Sequence, residues 1–210
     1  MSDVTEVKKL GIAVTLNDGM KICVKNMGPI LVNVVLWLLT VWIPYLNIGT
    51  TIGLSVGIIV KAARGEAISF TEIFDPKYRK YMGDFFLTSG LIGLGVGMGI
   101  ALFIIPGIVL GIAWSLALLL VIDKGKNPIE SLTLSNNLTY GYKGRMFGIF
   151  VLVGVVFTVV QGILTAIGVA SGNVGLIGFL SFIVVLTSIF EVLVFIGLEA
   201  SIYRQLAGDA

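Results

Sequence analysis

The chain has 210 residues, of which 57% are hydrophobic and only 12% are charged, with a net charge of +2. A mean hydropathy of +1.03 excludes a soluble globular domain, in which about a quarter of the residues are charged. The small net charge gives no reason to expect nucleic acid as a partner. This composition predicts an integral membrane protein. Because the sequence has no histidine and one cysteine, Cys23, we expect it to have no metal site, cofactor or enzyme activity.

Six apolar runs are long enough to cross a bilayer as helices. They cover residues 28–46, 48–61, 84–104, 107–122, 146–168 and 176–200. Short turns rich in Pro, Gly and Asn join them in pairs at 42–49, 104–107 and 170–175, since these residues end one helix and start the next. The sequence therefore predicts an all-α membrane protein in which six transmembrane helices form three hairpins within one domain, residues 1–210.

All the basic residues fall on the same side of these hairpins. They are Lys8, Lys9, Lys21 and Lys25 before the first span, Lys61, Arg64, Lys77, Arg79 and Lys80 after the second, Lys124, Lys126, Lys143 and Arg145 after the fourth, and Arg204 after the sixth. Basic residues favour the cytoplasmic side, which places both termini and all long connections in the cytoplasm. Tyr45 is then expected at the outer membrane interface, and Tyr78 and Tyr203 at the inner one.

Each hairpin begins in a similar way, with a basic residue, a methionine and a glycine before the apolar run. The three entries are KNMGPILV at 25–32, KYMGDFFL at 80–87 and GRMFGIFVL at 144–152. This similarity predicts a threefold internal repeat of parallel units, about 1–64, 65–126 and 127–210. The alternative is that every hairpin of an inner-membrane protein starts with a basic interface and a small residue.

A cytoplasmic interfacial segment is expected before each hairpin. Before the third, Asn127 is a suitable N-cap and Glu130 occupies the capping-box position, so an amphipathic helix should begin there and pack on the inner ends of the spans. Before the second, Ser69 and Glu72 have the same spacing within residues 68–81. This agreement favours the repeat.

Glycines four residues apart form narrow faces on two of the expected spans. They are Gly49, Gly53 and Gly57 in the second span, and Gly93 with Gly97 and Gly95 with Gly99 in the third. Such faces allow close approach of helix backbones. They predict helix packing, either within the chain or in self-association, and the alternative is a ligand groove lined by backbone.

Glu191 is the one acid well inside an expected span. No Lys or Arg lies in any span to pair with it, and an unpaired charge in a membrane is costly. Gln161, Asn33 and Ser188 are the polar side chains expected around it. Two interpretations stay open: Glu191 carries a proton or binds a cation, or it is protonated and joins helices through Gln161 or Asn33.

Residues 105–152 carry a longer pattern. It consists of Ile105-Pro106-Gly107, Trp114-Ser115, Asp123, Glu130-Ser131, Ser135, Leu138, Gly141 and Phe147. This segment resembles a family of small prokaryotic polytopic membrane proteins of unknown function, and is similar to the membrane domain fused to some glycerophosphodiester phosphodiesterases. The resemblance implies a six-span helical fold with a cytoplasmic helix before the fifth span. It implies no substrate or catalytic residue, because the phosphodiesterase activity belongs to a separate soluble domain.

Two functions are compatible with these features. The first is a non-enzymatic module that interacts with membrane lipids, another membrane protein or a second copy of itself, as a scaffold or accessory subunit. The second is a small transporter or channel that uses Glu191, although the sequence gives no sign of the broken helices common in coupled transporters.

Overall fold

A computed structural model describes residues 10–208, and all its long elements are helices. In chain order they are α1 (Ile12–Thr40), α2 (Pro44–Arg64), α3 (Lys77–Lys80), α4 (Met82–Leu102), α5 (Ile104–Lys124), α6 (Pro128–Thr139), α7 (Lys143–Ser171) and α8 (Val174–Ala207). All except α3 and α6 are long and apolar enough to cross a membrane. The prediction of an all-α, multi-pass membrane protein is confirmed, while Lys8 and Lys9 lie outside the described residues.

Helix α1 begins sixteen residues before the first expected span, which starts at 28. Lys21 and Lys25 do not interrupt it, because both side chains are on its exposed side. The buried face keeps helical spacing throughout. Its residues are Thr15, Gly19, Ile22, Cys23, Asn26, Ile30 and Asn33. The region expected as a separate interfacial segment before the first hairpin is therefore the first half of α1.

One of the most extensive contacts between long helices in residues 10–208 joins α1 to α8, which are far apart in the sequence. A Cβ atom at Gly197 would collide with the carbonyl oxygen of Gly19, so the two backbones touch at this point. Near one end of this pair, Asp18 forms an ion pair with Arg204 and accepts a hydrogen bond of 2.9 Å from the Ser201 hydroxyl. Residues from the two ends of the chain thus close the fold.

The turn between α7 and α8 follows directly from its sequence. Gly172 ends α7 with a left-handed conformation, φ +62°, which glycine adopts at little cost. The side chain of Asn173 then caps α8 by accepting hydrogen bonds from the amides of Gly175 and Leu176, at 2.9 and 3.2 Å.

Helices α4 and α5 are separated by a single residue, Phe103. The turn was expected at 104–107, but Pro106 lies in the first turn of α5, where an amide group has no helical partner to lose. Gly99 and Gly107 bring the two backbones together, since a Cβ on Gly99 would lie 2.8 Å from the Cα atom of Gly107.

The two long connections fold back along the helix that precedes them. The connection 66–81 packs on α2, and α6 packs on the second part of α5. In each case the helix is irregular where the connection meets it: α2 is π-helical at Gly53–Gly57, and α5 has turns at 114–116. The connections are therefore packed parts of the fold, and their interfacial position stays a prediction.

Candidate functional site

Glu191 lies in a half-buried position between α7 and α8. Gln161 donates a hydrogen bond of 3.0 Å from Nε2 to Oε2 of Glu191. The rings of Phe157 and Phe190, 6.2 Å apart between centroids, pack nearby between the same two helices. Ser188 donates to a carbonyl of its own helix and does not join the pair.

Asn33 lies apart from Glu191 and holds the connection 66–81 instead. Its fully buried side chain donates to the carbonyl oxygen of Ser69 at 2.7 Å and accepts from the amide of Ile73 at 3.1 Å. Non-helical backbone within a membrane protein needs such partners, because lipid supplies none. The sequence contains an asparagine within an apolar run and a polar connection, but no local pattern indicates that the two are in contact.

Glu72 is the centre of a buried polar cluster, which sequence analysis identified only as a helix cap. Its carboxylate accepts hydrogen bonds from Lys61 Nζ at 2.7 Å, from the Tyr78 hydroxyl at 2.7 Å and from Lys77 Nζ at 3.3 Å. Burial alone raises the pKa of Glu72, but the hydrogen bonds from Lys61 and Tyr78 and the charges of both lysines outweigh it. The pKa therefore falls below its ordinary value, and the side chain is ionised at neutral pH.

Tyr78 fills the glycine face of α2. It is 1% exposed and its ring lies against Gly53 and Gly57, where a Cβ would collide with it. The side chain of Arg79 passes over Gly49. The face thus packs against the connection 66–81 and not against another long helix. Burial and the bond to Glu72 raise the pKa of Tyr78, and its position at the inner membrane interface stays a prediction.

The glycines of α4 divide into two faces. A Cβ at Gly95 would collide with the ring of Trp114, and Gly99 contacts α5, so this face packs within the chain. A Cβ at Gly93 or Gly97 would meet no described atom within 4 Å. Packing within the chain is therefore the wrong interpretation for Gly93 and Gly97, and self-association through them stays a prediction.

Two hydroxyl groups of α6 complete the interrupted helix α5. Ser135 donates to the carbonyl oxygen of Ala113 at 2.7 Å and accepts from the amide of Leu116 at 3.2 Å, and the Thr139 hydroxyl lies 3.3 Å from the same carbonyl. These bonds replace helical bonds lost at 114–116. The expectation that no span is broken is wrong, because sequence alone does not reveal an interruption that polar side chains satisfy from outside.

The start of α6 is set by local hydrogen bonds. Oδ1 of Asn127 accepts from the amide of Glu130 at 2.9 Å, and the helix begins at Pro128. The Glu130 side chain turns toward Asn127 Nδ2, at 3.3 Å, and pairs with Lys126 at 3.0 Å. This end of α6 is exposed and makes no part of the buried clusters.

A cleft lies between α2, the connection 66–81 and the end of α5, with a volume of about 280 Å³. Its polar lining comprises Lys61, Arg64, Glu66, Lys77, Lys80 and Asp123. Asp123 is held by Arg64, at 2.5 Å, and by the Tyr203 hydroxyl, at 2.7 Å. We call this feature the basic cleft.

Within residues 10–208, no three acidic or cysteine side chains converge where a metal ion could be held. The described features define a helical multi-pass membrane protein with polar clusters between its helices. Comparison of the chain with protein families, curated proteins and solved structures gives no match. The family resemblance of residues 105–152 stays a prediction, and the function is argued from geometry.

Proposed function

We propose that this protein is a non-enzymatic membrane module that binds lipid and acts as a scaffold or accessory subunit of a membrane complex. The observation that carries the proposal is the combination of widely exposed apolar helices with a basic cleft at one end of them. Lipid has the matching chemistry, since its acyl chains cover apolar surface and its anionic headgroups attract Lys and Arg.

The apolar surface is large. In the most apolar stretches of α4, α7 and α8, only 11%, 6% and 11% of the residues are buried within the chain. The remaining side chains need acyl chains or other helices as neighbours. The open face at Gly93 and Gly97 is the place where another membrane protein or a second copy would approach most closely.

The proposed topology places both termini and the basic cleft in the cytoplasm of a prokaryotic cell, with the protein in its inner membrane. Arg64, Lys124 and Arg204 lie close together around a second cavity beside the cleft. The turn at Gly172 and Asn173 carries no basic residue. This distribution is the one that the positive-inside bias favours.

The proposed repeat gains support from the way the second and third units begin. Each begins with a connection that folds back on the second helix of the preceding pair. Asn33 anchors the first connection, whereas Ser135 anchors the second. The two connections therefore pack in the same way on the helix before them, although different residues anchor them.

Native mass spectrometry of protein transferred directly from its own membrane into lipid nanodiscs tests the proposal. We expect a constant co-purifying lipid or a partner subunit. A bare species surrounded by bulk lipid only would contradict the proposed role.

A second candidate function is proton or cation transport. The Gln161–Glu191 hydrogen bond and the interrupted helix α5 favour it, because transporters place polar groups and broken helices along their pathways. Flux into liposomes should then be lost in Glu191→Gln and kept in the control Glu130→Gln, whose side chain is at the exposed start of α6. Equal flux in both variants would exclude this mechanism.

A further inference from the structure

We propose that the basic cleft binds the phosphodiester group of an anionic phospholipid. The inference rests on the proposed lipid-binding function and adds a defined site, a ligand class and a selectivity. It is carried by the charges that line the cleft, by the partners those charges already have, and by the apolar surface that starts beside it.

The cleft collects basic side chains from two neighbouring parts of the fold. Lys61 and Arg64 come from the last turns of α2, and Lys77 and Lys80 from α3. Tyr81 adds a ring and a hydroxyl group at the side near Gly125. Such a convergence of ammonium and guanidinium groups is the arrangement that binds phosphate oxygens in proteins.

The carboxylates around the cleft are already engaged. Glu72 is paired with Lys61 and Lys77, Asp75 with Lys77, Glu66 with Arg64, and Asp123 with Arg64 and Lys124. With Lys80 and all these partners counted, five basic groups face four acidic ones, which leaves one positive charge in excess. That excess matches a phosphodiester, which carries a single negative charge.

Lys80 is the basic residue that remains for the ligand. Among residues 10–208, no carboxylate lies within ion-pair distance of it, and its ammonium group is 5.4 Å from the centre of the Tyr81 ring. The side chain is exposed, so it can turn toward an anion without breaking an internal contact.

The size and position of the cleft fit a lipid headgroup. Its volume of about 280 Å³ is at the lower limit of small-molecule pockets, which begin at roughly 300 Å³, and suits one headgroup. Helix α4 starts two residues after Lys80, and its first turns expose Met82 and Phe86, at 39% and 51%. Acyl chains can therefore lie against α4 while the phosphate remains in the cleft.

The test uses purified full-length protein in a zwitterionic detergent, incubated with equal amounts of phosphatidylglycerol and phosphatidylcholine and analysed by native mass spectrometry. We expect wild type to retain one phosphatidylglycerol in preference to phosphatidylcholine. Lys80→Gln should reduce that preference about fivefold, the effect of one basic residue near a charged headgroup. Lys80→Arg should keep it.

Lys126→Gln is the matched control, because it removes the same charge from a residue that pairs only with Glu130 outside the cleft. Gel filtration of each variant verifies that it remains folded. Equal loss of preference in Lys80→Gln and Lys126→Gln, or no loss in either, would overturn the inference. Unselective retention of both lipids would also overturn it, while leaving the lipid-binding function intact.

A separate arm uses glycerophosphoglycerol, the soluble headgroup without acyl chains. Weak binding of this compound that depends on Lys80, together with retained phosphatidylglycerol, supports the lipid as the ligand. Binding of the soluble compound without any lipid retention would show a site for a soluble phosphodiester and would contradict the proposed function itself.

Discussion

At the scale of single residues, the polar interior depends on buried groups that join different elements of the fold. Glu72 is 3% exposed yet ionised, because Lys61, Lys77 and Tyr78 surround its carboxylate. Asn33 fixes the backbone of the same connection from α1. The two residues together determine where the connection 66–81 lies against α2.

Glu72 should make the stability of the protein depend on pH. Its pKa is lower in the folded state than its ordinary value of 4.5, so its contribution is present above that value and is lost as pH falls through the folded-state pKa. We expect Glu72→Gln to be less stable than wild type at pH 7, by about 2 kcal/mol from the loss of hydrogen bonds to a charged group, and to lose less stability in acid.

Thermal unfolding in detergent at pH 7 and at pH 3 measures this difference. Glu130→Gln is the control, since Glu130 is exposed and its carboxylate forms only surface contacts with Lys126 and Asn127. Identical pH profiles for wild type and Glu72→Gln would contradict the assigned role of the carboxylate.

Local sequence patterns indicate only part of this polar interior. The cap formed by Asn127 involves residues three positions apart, and its signal is visible in the sequence. The bonds of Asn33 reach Ser69 and Ile73, 36 and 40 residues away. Such pairings depend on how helices pack, and periodicity carries no information about them.

At the scale of elements, the glycine faces of α2 and α4 have different environments. Gly57 lies against the Tyr78 ring, whereas Gly93 faces open space. We expect Gly57→Ala to lower stability by about 1–3 kcal/mol through overpacking. Gly93→Ala should be neutral or raise the stability of the monomer, because alanine favours helix over glycine by about 1 kcal/mol.

Thermal unfolding of the two variants in the same detergent gives the comparison. Equal effects of the two substitutions would contradict the packing described for α2. Cross-linking of wild type and Gly93→Ala in liposomes reports separately on self-association through the open face.

The interruption of α5 predicts a specific role for Ser135. Ser135→Ala leaves the carbonyl of Ala113 with only the longer bond to Thr139, and leaves the amide of Leu116 without its side-chain partner. We expect a loss of about 1–3 kcal/mol and faster hydrogen exchange at 113–117. Thr133→Ala is the control, since Thr133 is exposed and bonds within α6. Unchanged exchange in Ser135→Ala would show that its hydroxyl does not support the interruption.

Hydropathy was sufficient to predict that the protein has six helices long and apolar enough to cross a membrane. It failed at three positions: the start of α1, the turn at Phe103 and the interruption at 114–116. At the start of α1, Lys21 and Lys25 lie on the exposed side, so the helix continues through them. At Phe103, the first turn of α5 tolerates Pro106, so the turn lies before the expected residues. In the third, hydroxyl groups from α6 removed the energetic penalty that usually keeps a span regular.

At the scale of the whole molecule, the proposed topology can be tested by labelling single cysteines. In a Cys23→Ala background, we expect a membrane-impermeant thiol reagent to label Asn173→Cys in intact cells and Lys126→Cys only after the membrane is opened. Mass spectrometry of the labelled protein measures the modification. Labelling of both positions in intact cells would contradict cytoplasmic placement of the basic cleft.

The overall arrangement was less predictable than the elements. The similarity of the hairpin entries led to an expectation of three equivalent units, but one of the most extensive contacts joins α1 to α8, from the first and the third of them. That contact involves the first and last long helices, so a repeat period along the chain gives no hint of it.

The pairing of α1 with α8 also has a consequence for synthesis of the protein. Asp18 meets Arg204 across 186 residues, so a ribosome adding 5–20 residues per second needs roughly 10 to 40 seconds to supply the partner. During that interval α1 remains unpaired on the face that α8 later covers. A chain released before α8 is made keeps this face of α1 exposed.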